Sequence, residues 1–434
     1  MRSWKFDFGP AFSVAHGYIR VTANMAYQPE RGYGFLGLGP DGYREDPRSD
    51  GFVMAEGQEI KLREVSKPDP KTVDDDAIAV TEPGMPIRFA VRVPPNTYYK
   101  VKVTLRGADQ SWDASVFLFS EKRHFLLTAK RILPYTKWTH EFNVHVCNVY
   151  SKETGVYEDT MLNLAVCGEN AALSSVEIQH VEHGKTLWVL GDSTVCDQLA
   201  TLPYFNLHNY AGIGQALAKY VGPDLAVANY AESGLNTHTS KPHFDQFKER
   251  IRPGDFVYFE FGHNHKKDGP EGYYQGISQY YEHVHAKGAC FIIVGPIDRH
   301  REEQYDPATN TWSSTLKEFS AMGKRFVEEK VAAGATDIAF VDLNEPSLAW
   351  YSRLCEKERT HASTDYYFRA KRGEGIDGTH PNDVGVDHFA CMFFEEARNI
   401  VNADPESPKP TCWRSCWTGS GRRAPIKSPL PLPI

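Results

Sequence analysis

Ser193 ends the run LWVLGDS, where a strongly apolar segment of strand length meets a turn. A hydroxyl just past a buried strand stands exposed at the sheet edge, and a neighbouring base there can take its proton and make it a nucleophile. Gly191, Asp192 and Ser193 equally suit a turn that caps a helix. A candidate base lies far along the chain in DGTHPND, residues 377–383, where Asp377 precedes His380 by three. That spacing lets the carboxylate curl back onto one ring nitrogen, fix the tautomer and leave the other nitrogen free to accept a proton. An Asp-x-x-His can also be a helix cap with a surface histidine. Two further loops complete the set: AESGLNT (231–237) after LAVANY, and FGHNHKKD (261–268) after DFVYFEF. Acyl transfer needs donors aimed at an oxyanion, and the backbone N–H groups of Gly234 and Ser193 with the side-chain amide of Asn264 supply three. Taken singly, a Gly in a turn and an Asn at a strand end are common.

The elements that must bring these loops together are legible as a change of pattern near residue 183. From residue 1 to about 182 the chain shows short strand-like runs separated by Gly, Pro, Asn and Asp: IRFAVRV, YYKVKVTLRG, ASVFLFS, EFNVHVCNV, MLNLAVCG and SSVEIQHVE. Such spacing predicts an all-β jelly roll or β-sandwich, with KPDPKTVDDDA (67–77) as a surface loop. After HGKT (183–186), apolar runs alternate with helical periods. LWVLG (187–191), LAVANYA (225–231), DFVYFEFG (255–262), CFIIVG (290–295) and DIAFVDL (337–343) read as strands. IGQALAKYV (213–221), YYQGISQYYEHVHAK (273–287) and TLKEFSAMGKRFVEEKVAA (315–333) read as helices. Continuous apolar strands joined by helical crossovers predict a parallel sheet in a three-layer, flavodoxin-like α/β domain, with its loops of interest at the carboxyl ends of the strands. A last helix, VGVDHFACMFFEEARNIV, follows a cap at Asn382 or Asp383. The expected organisation is therefore 1–182 all-β, 185–402 α/β, and a Pro/Ser/Gly-rich tail over 403–434 that stays disordered.

Composition narrows the partners. The 434 residues carry a formal charge of −8 at pH 7 and no long basic run, which argues against nucleic-acid binding. No window approaches the roughly 18 apolar residues that a membrane-spanning helix needs. The N-terminus MRSWKFDFGP lacks a signal-peptide core, so a cytoplasmic location is expected for the chain as it stands, and secretion if an upstream signal was removed. The eight cysteines are scattered, several within apolar runs such as ACFIIVG and FACMFF, and read as reduced core residues. Cys412 and Cys416 have no second Cys/His pair at zinc spacing, so no metal is assigned.

Taken in order, the blocks GDS, Gly, GxN and DxxH resemble the SGNH (GDSL-like) hydrolase superfamily over about residues 185–402. GDSTV, with Thr194 where many relatives have Leu, and DGTHPN look most like its rhamnogalacturonan acetylesterase branch. The resemblance implies Ser193 as nucleophile, Asp377 and His380 as the other triad members, and Ser193, Gly234 and Asn264 as the oxyanion hole. It also implies a cofactor-free acetylesterase acting on an acetylated plant cell-wall glycan of the pectic, rhamnogalacturonan-like kind. His265 departs from the branch, where an acidic residue usually follows the Asn. FDFGP…AHGYIRVT…RGYGF (6–35) is more loosely similar to the galactose-binding-like β-domain in front of some members. The alternatives are a xylan or broad small-acyl esterase and, in another class, a non-catalytic carbohydrate-binding protein. The oligomeric state is left open. Of the aromatic residues near the loops, Trp312 in the polar segment EEQYDPATNTWSS is the expected sugar-stacking platform, while most others fill the core.

Overall fold

The computed structural model describes residues 3–10, 16–39, 42–66, 75–357, 366–369 and 376–403. The Cys412/Cys416 pair, the tail from 404 and most of the 67–77 loop lie outside them. Ser3 to Val181 build two sheets around one core. The larger sheet runs Lys137–Val146, Thr97–Gly107, Ala171–Val181, Ser3–Phe8 and Ile19–Val21, with Ala77–Val80 and Leu62–Val65 attached. The smaller runs His124–Ile132, Ala114–Ser120, Met161–Glu169, Ile87–Arg92 and Tyr33–Phe35. Alternate residues face inward, so Val101, Val103 and Leu105 of one sheet share an apolar cluster with Phe89, Val116, Leu118 and Leu164 of the other. The strand His124–Ile132 was not apparent from its alternation because its pairing shifts register twice, between Phe125 and Leu127 and between Leu127 and Lys130. Each bulge moves the side chains to the other face and erases the period of two.

Residues 185–403 form the α/β part. Its five strands are all parallel, in the order Leu225–Asn229, Lys185–Gly191, Phe256–Glu260, Cys290–Gly295, Ile338–Asp342. Both faces are covered. Leu187, Val189, Tyr258, Ile292 and Val341 pack with Ile213, Leu217, Val386 and Phe389 on one side. Trp188, Leu190, Val257, Phe259 and Phe291 pack with Phe247, Ile277, Tyr280 and Phe326 on the other. Apolar residues at odd and even positions alike explain the continuous runs in the sequence. The expected helix over 213–221 is shorter, Ile213–Leu217, and Gly222–Pro223 follow soon after. Two helices escaped the sequence reading, Lys241–Phe247 and Asn344–Lys357; each carries a Pro near its start, a residue that also signals a turn. The last helix is Asp383–Ala403, and Asn382 is its cap, its Oδ1 accepting the N–H groups of Val384 and Gly385 at 3.0 Å.

The two parts share packing. Phe52, Phe119 and Phe125 of the β sheets belong to the same apolar cluster as Leu187, Ile213 and Phe389. The turn between Ala114–Ser120 and His124–Ile132 drives Arg123, fully buried, under the loops of the α/β part. Its guanidinium pairs with Asp383 and donates to the carbonyls of Tyr210 (2.6 Å) and Gln198 (3.1 Å).

Candidate active site

Ser193 follows directly on the strand Lys185–Gly191, and the buried Asp192 folds the turn that presents it. Asp192 Oδ1 accepts the N–H and the hydroxyl of Thr194 at 3.1 and 2.9 Å, while its carbonyl accepts from Val195 and Cys196 at 3.0 and 2.9 Å. No helix begins at this turn; the next starts at Ile213. Ser193 is left partly exposed between buried neighbours, at the carboxyl edge of the sheet.

The structure brings Asp377 and His380 to this hydroxyl from 187 residues away. His380 Nε2 lies 2.9 Å from Ser193 Oγ, and His380 Nδ1 lies 2.8 Å from Asp377 Oδ2. The other carboxylate oxygen accepts the N–H groups of Thr379 and His380 at 2.9 and 3.1 Å, so the three-residue spacing forms the predicted curl. Burial raises the Asp377 pKa, but the His380 ring and the two backbone donors outweigh it and hold the carboxyl at about 2. A carboxylate only accepts, so Nδ1 carries the proton and the Nε2 lone pair faces the Ser193 hydroxyl. Gly378 is required between them: a Cβ there would stand 2.3 Å from the His300 carbonyl oxygen. Tyr210, which the sequence offered only as an aromatic near the loops, donates to Asp377 Oδ2 at 3.4 Å and sets its ring edge-on to His380. The bridge between Tyr210 and Asn382 holds it there, a cross-chain pairing with no local signal.

The two remaining loops open beside this relay. Gly234 sits in the left-handed region (φ +82°), in the loop after Leu225–Asn229. Asn264 follows Phe256–Glu260, and its amide donates to the Leu235 carbonyl at 3.0 Å, which ties the two loops together and leaves one amide N–H for a ligand. His265 makes a second tie. Its Nε2 accepts the Thr237 N–H at 3.1 Å, which puts the ring proton on Nδ1, facing Asp268 at 3.1 Å. Burial holds His265 below the ordinary imidazole range despite Asp268, so the ring stays neutral and keeps accepting. The residue that departs from the family pattern therefore clamps the loop instead of loosening it.

No family model matches the chain. Over 419 residues it is 26% identical to the uncharacterized esterase YxiM of Bacillus subtilis (strain 168), covering 91% of this chain and 90% of that protein. The crystal structure of YxiM from Bacillus subtilis superposes with a TM-score of 0.44 at 24% identity, over 93% of this chain and 99% of that one. A family two carbohydrate esterase from Cellvibrio japonicus gives a TM-score of 0.33 at 10% identity, over 73% of this chain and 92% of that one.

Around the relay, His238, His265 and Asp268 are the group among the described residues whose side chains could surround a metal ion. Their hydrogen bonds argue otherwise. One nitrogen of His265 is committed to a backbone N–H and the other carries the proton that faces Asp268, so a metal there would need a ring stripped of its proton. The expected platform Trp312 is only half exposed, and the His300 ring stacks on it at 4.3 Å. Its short strand Thr311–Trp312 pairs with Tyr305–Asp306 and turns the indole inward, so that face is not open for a sugar. Tyr204, Tyr273, Trp350 and Tyr351 are buried in the core, whereas Phe205 remains exposed.

Proposed function

We propose that this chain is a serine esterase of the SGNH type that removes acetyl groups from an acetylated carbohydrate. The observation that carries the reading is the relay from Ser193 Oγ through His380 to Asp377, at 2.9 and 2.8 Å, with a charged carboxylate fixing the tautomer. A relative of nearly the same length that is named an esterase supports it. His380 Nε2 takes the proton of Ser193 as the hydroxyl oxygen bonds to the ester carbonyl carbon. The N–H groups of Ser193 and Gly234 and the Asn264 amide receive the negative oxygen. The C–O bond to the sugar then breaks, and the sugar oxygen leaves with the proton from His380. Water repeats the sequence on the acyl-serine, its proton going to His380 and on to Ser193 Oγ as acetate departs. These steps are complete with the chain's own residues.

The glycan assigned is rhamnogalacturonan-like, on the strength of GDSTV and DGTHPN. The two-sheet N-terminal part is read as a galactose-binding-like jelly roll and as a domain of its own, residues 1–182, in front of a catalytic domain over 185–402. Acetate release from acetylated rhamnogalacturonan, acetylated xylan and p-nitrophenyl acetate tests the substrate. Preference for the pectic glycan is expected; faster release from xylan would move the assignment to that polymer, and activity on the small ester alone would remove the glycan altogether.

A further inference from the structure

The β sheets contribute more than a docking face to the site. A hairpin formed by Val149–Ser151 and Gly155–Tyr157 leaves them and reaches the loop that presents Gly234. Ser151 Oγ donates to Glu232 Oε1 at 3.0 Å and the Lys152 N–H to Glu232 Oε2 at 2.9 Å. Glu232 Oε2 is held from the other side by His243 Nε2 at 2.6 Å, in the helix Lys241–Phe247. With its backbone anchored in this way, Lys152 extends its ammonium to the Ser233 carbonyl oxygen, 2.6 Å away.

That carbonyl is one end of a peptide unit whose other end is the Gly234 N–H. A charged donor on the oxygen draws electron density from the nitrogen through the amide, which makes the N–H a stronger donor at the opposite end. The ammonium also adds positive charge close by: its nitrogen lies 3.4 Å from where a Cβ on Gly234 would stand. A preorganised positive charge near a developing oxyanion lowers the barrier without reorganisation during the reaction. Because Lys152 is solvent-exposed, screening limits the effect to a modest one.

We propose that Lys152 is a positioning residue of the oxyanion hole: supplied by the N-terminal β part and fixed through Glu232, it polarises the Ser233–Gly234 peptide and thereby strengthens the Gly234 N–H. The proposal rests on the reading of Gly234 as an oxyanion donor, and it gives the N-terminal part a role in the chemistry in addition to any glycan contact.

The test compares kcat and KM on p-nitrophenyl acetate for the full chain and for Ser193→Ala, Lys152→Met and Lys152→Arg, with thermal melting of each. Lys152→Met should lower kcat about tenfold with KM within about twofold and Tm unchanged. Lys152→Arg, which keeps a charged donor, should recover most of the loss. A Lys152→Met protein with wild-type kcat, or one whose kcat loss comes with a lowered Tm and no rescue by Arg, would overturn the proposal while an inactive Ser193→Ala protein left the site reading intact. Activity surviving in Ser193→Ala would instead remove the site reading on which the proposal stands.

Discussion

A carboxylate that keeps its charge decides which way the imidazole beside it faces. Asp377, held at about 2, leaves His380 one orientation in which Nδ1 donates and Nε2 accepts. Asp377→Asn keeps the shape but lets the amide donate to Nδ1, which favours the tautomer with its proton on the wrong nitrogen; kcat should fall on the order of a thousandfold or more while the far-ultraviolet spectrum is unchanged. Wild-type turnover in that variant would mean that Asp377 does not set the tautomer. The same depressed value has a stability consequence of definite sign. Asp377 contributes stability that is present above the ordinary carboxylate value near 3.9 and lost as pH falls through about 2. At this scale the sequence was informative because residue type and short spacing suffice for an Asp-x-x-His curl. Tyr210 and His265 were not legible in their roles, since each acts through a backbone or carboxylate partner on a different loop.

At the scale of elements, the parallel strands were readable because burial on both faces leaves runs such as CFIIVG with no polar interruption. The exception ends the strand Phe256–Glu260: Glu260 is 1% exposed and receives the Tyr258 hydroxyl on one carboxylate oxygen. Burial, with the nearby Asp192, raises its pKa to about 8, against the Tyr258 and backbone hydrogen bonds that lower it. A raised carboxyl makes the folded state bind more protons than the unfolded chain. Its contribution is therefore fully present below about 4.3 and lost as pH rises through about 8. Glu260→Gln should flatten this dependence: between pH 6 and 8 the wild type should lose on the order of 2 kcal/mol relative to the variant, read by chemical denaturation at each pH. Parallel pH profiles for the two proteins would show that Glu260 is not protonated in the fold. In the β sheets the period of two identified six strands and failed where bulges or short lengths broke it, as in His124–Ile132. The helix Lys241–Phe247, which carries His243, was hidden behind its proline.

Across the whole molecule the sequence announced two patterns but gave no sign of how they meet, because the meeting rests on single residues that come together only in the fold. Arg123 is fully buried at that meeting, pairing with Asp383 at the start of the last helix and holding the carbonyls of Gln198 and Tyr210. Arg123→Met leaves Asp383 buried with only the Tyr204 hydroxyl, at 2.6 Å, as a printed partner for its charge. The expected loss is about 3 kcal/mol or more, and adding Asp383→Asn should return part of it. Equal stability of Arg123→Met and wild type would deny the pair any part in joining the two halves. The same joining delivers Lys152 to the Gly234 loop and Arg123 beneath Tyr210, so the β sheets help to shape a site whose reacting groups all lie in the α/β part. The central claim is that Ser193 attacks an acetyl ester. It is tested most directly by acetate release from acetylated rhamnogalacturonan by the wild type and by Ser193→Ala. Release by the wild type that is abolished in the variant is the predicted result, and undiminished release by Ser193→Ala would contradict the account.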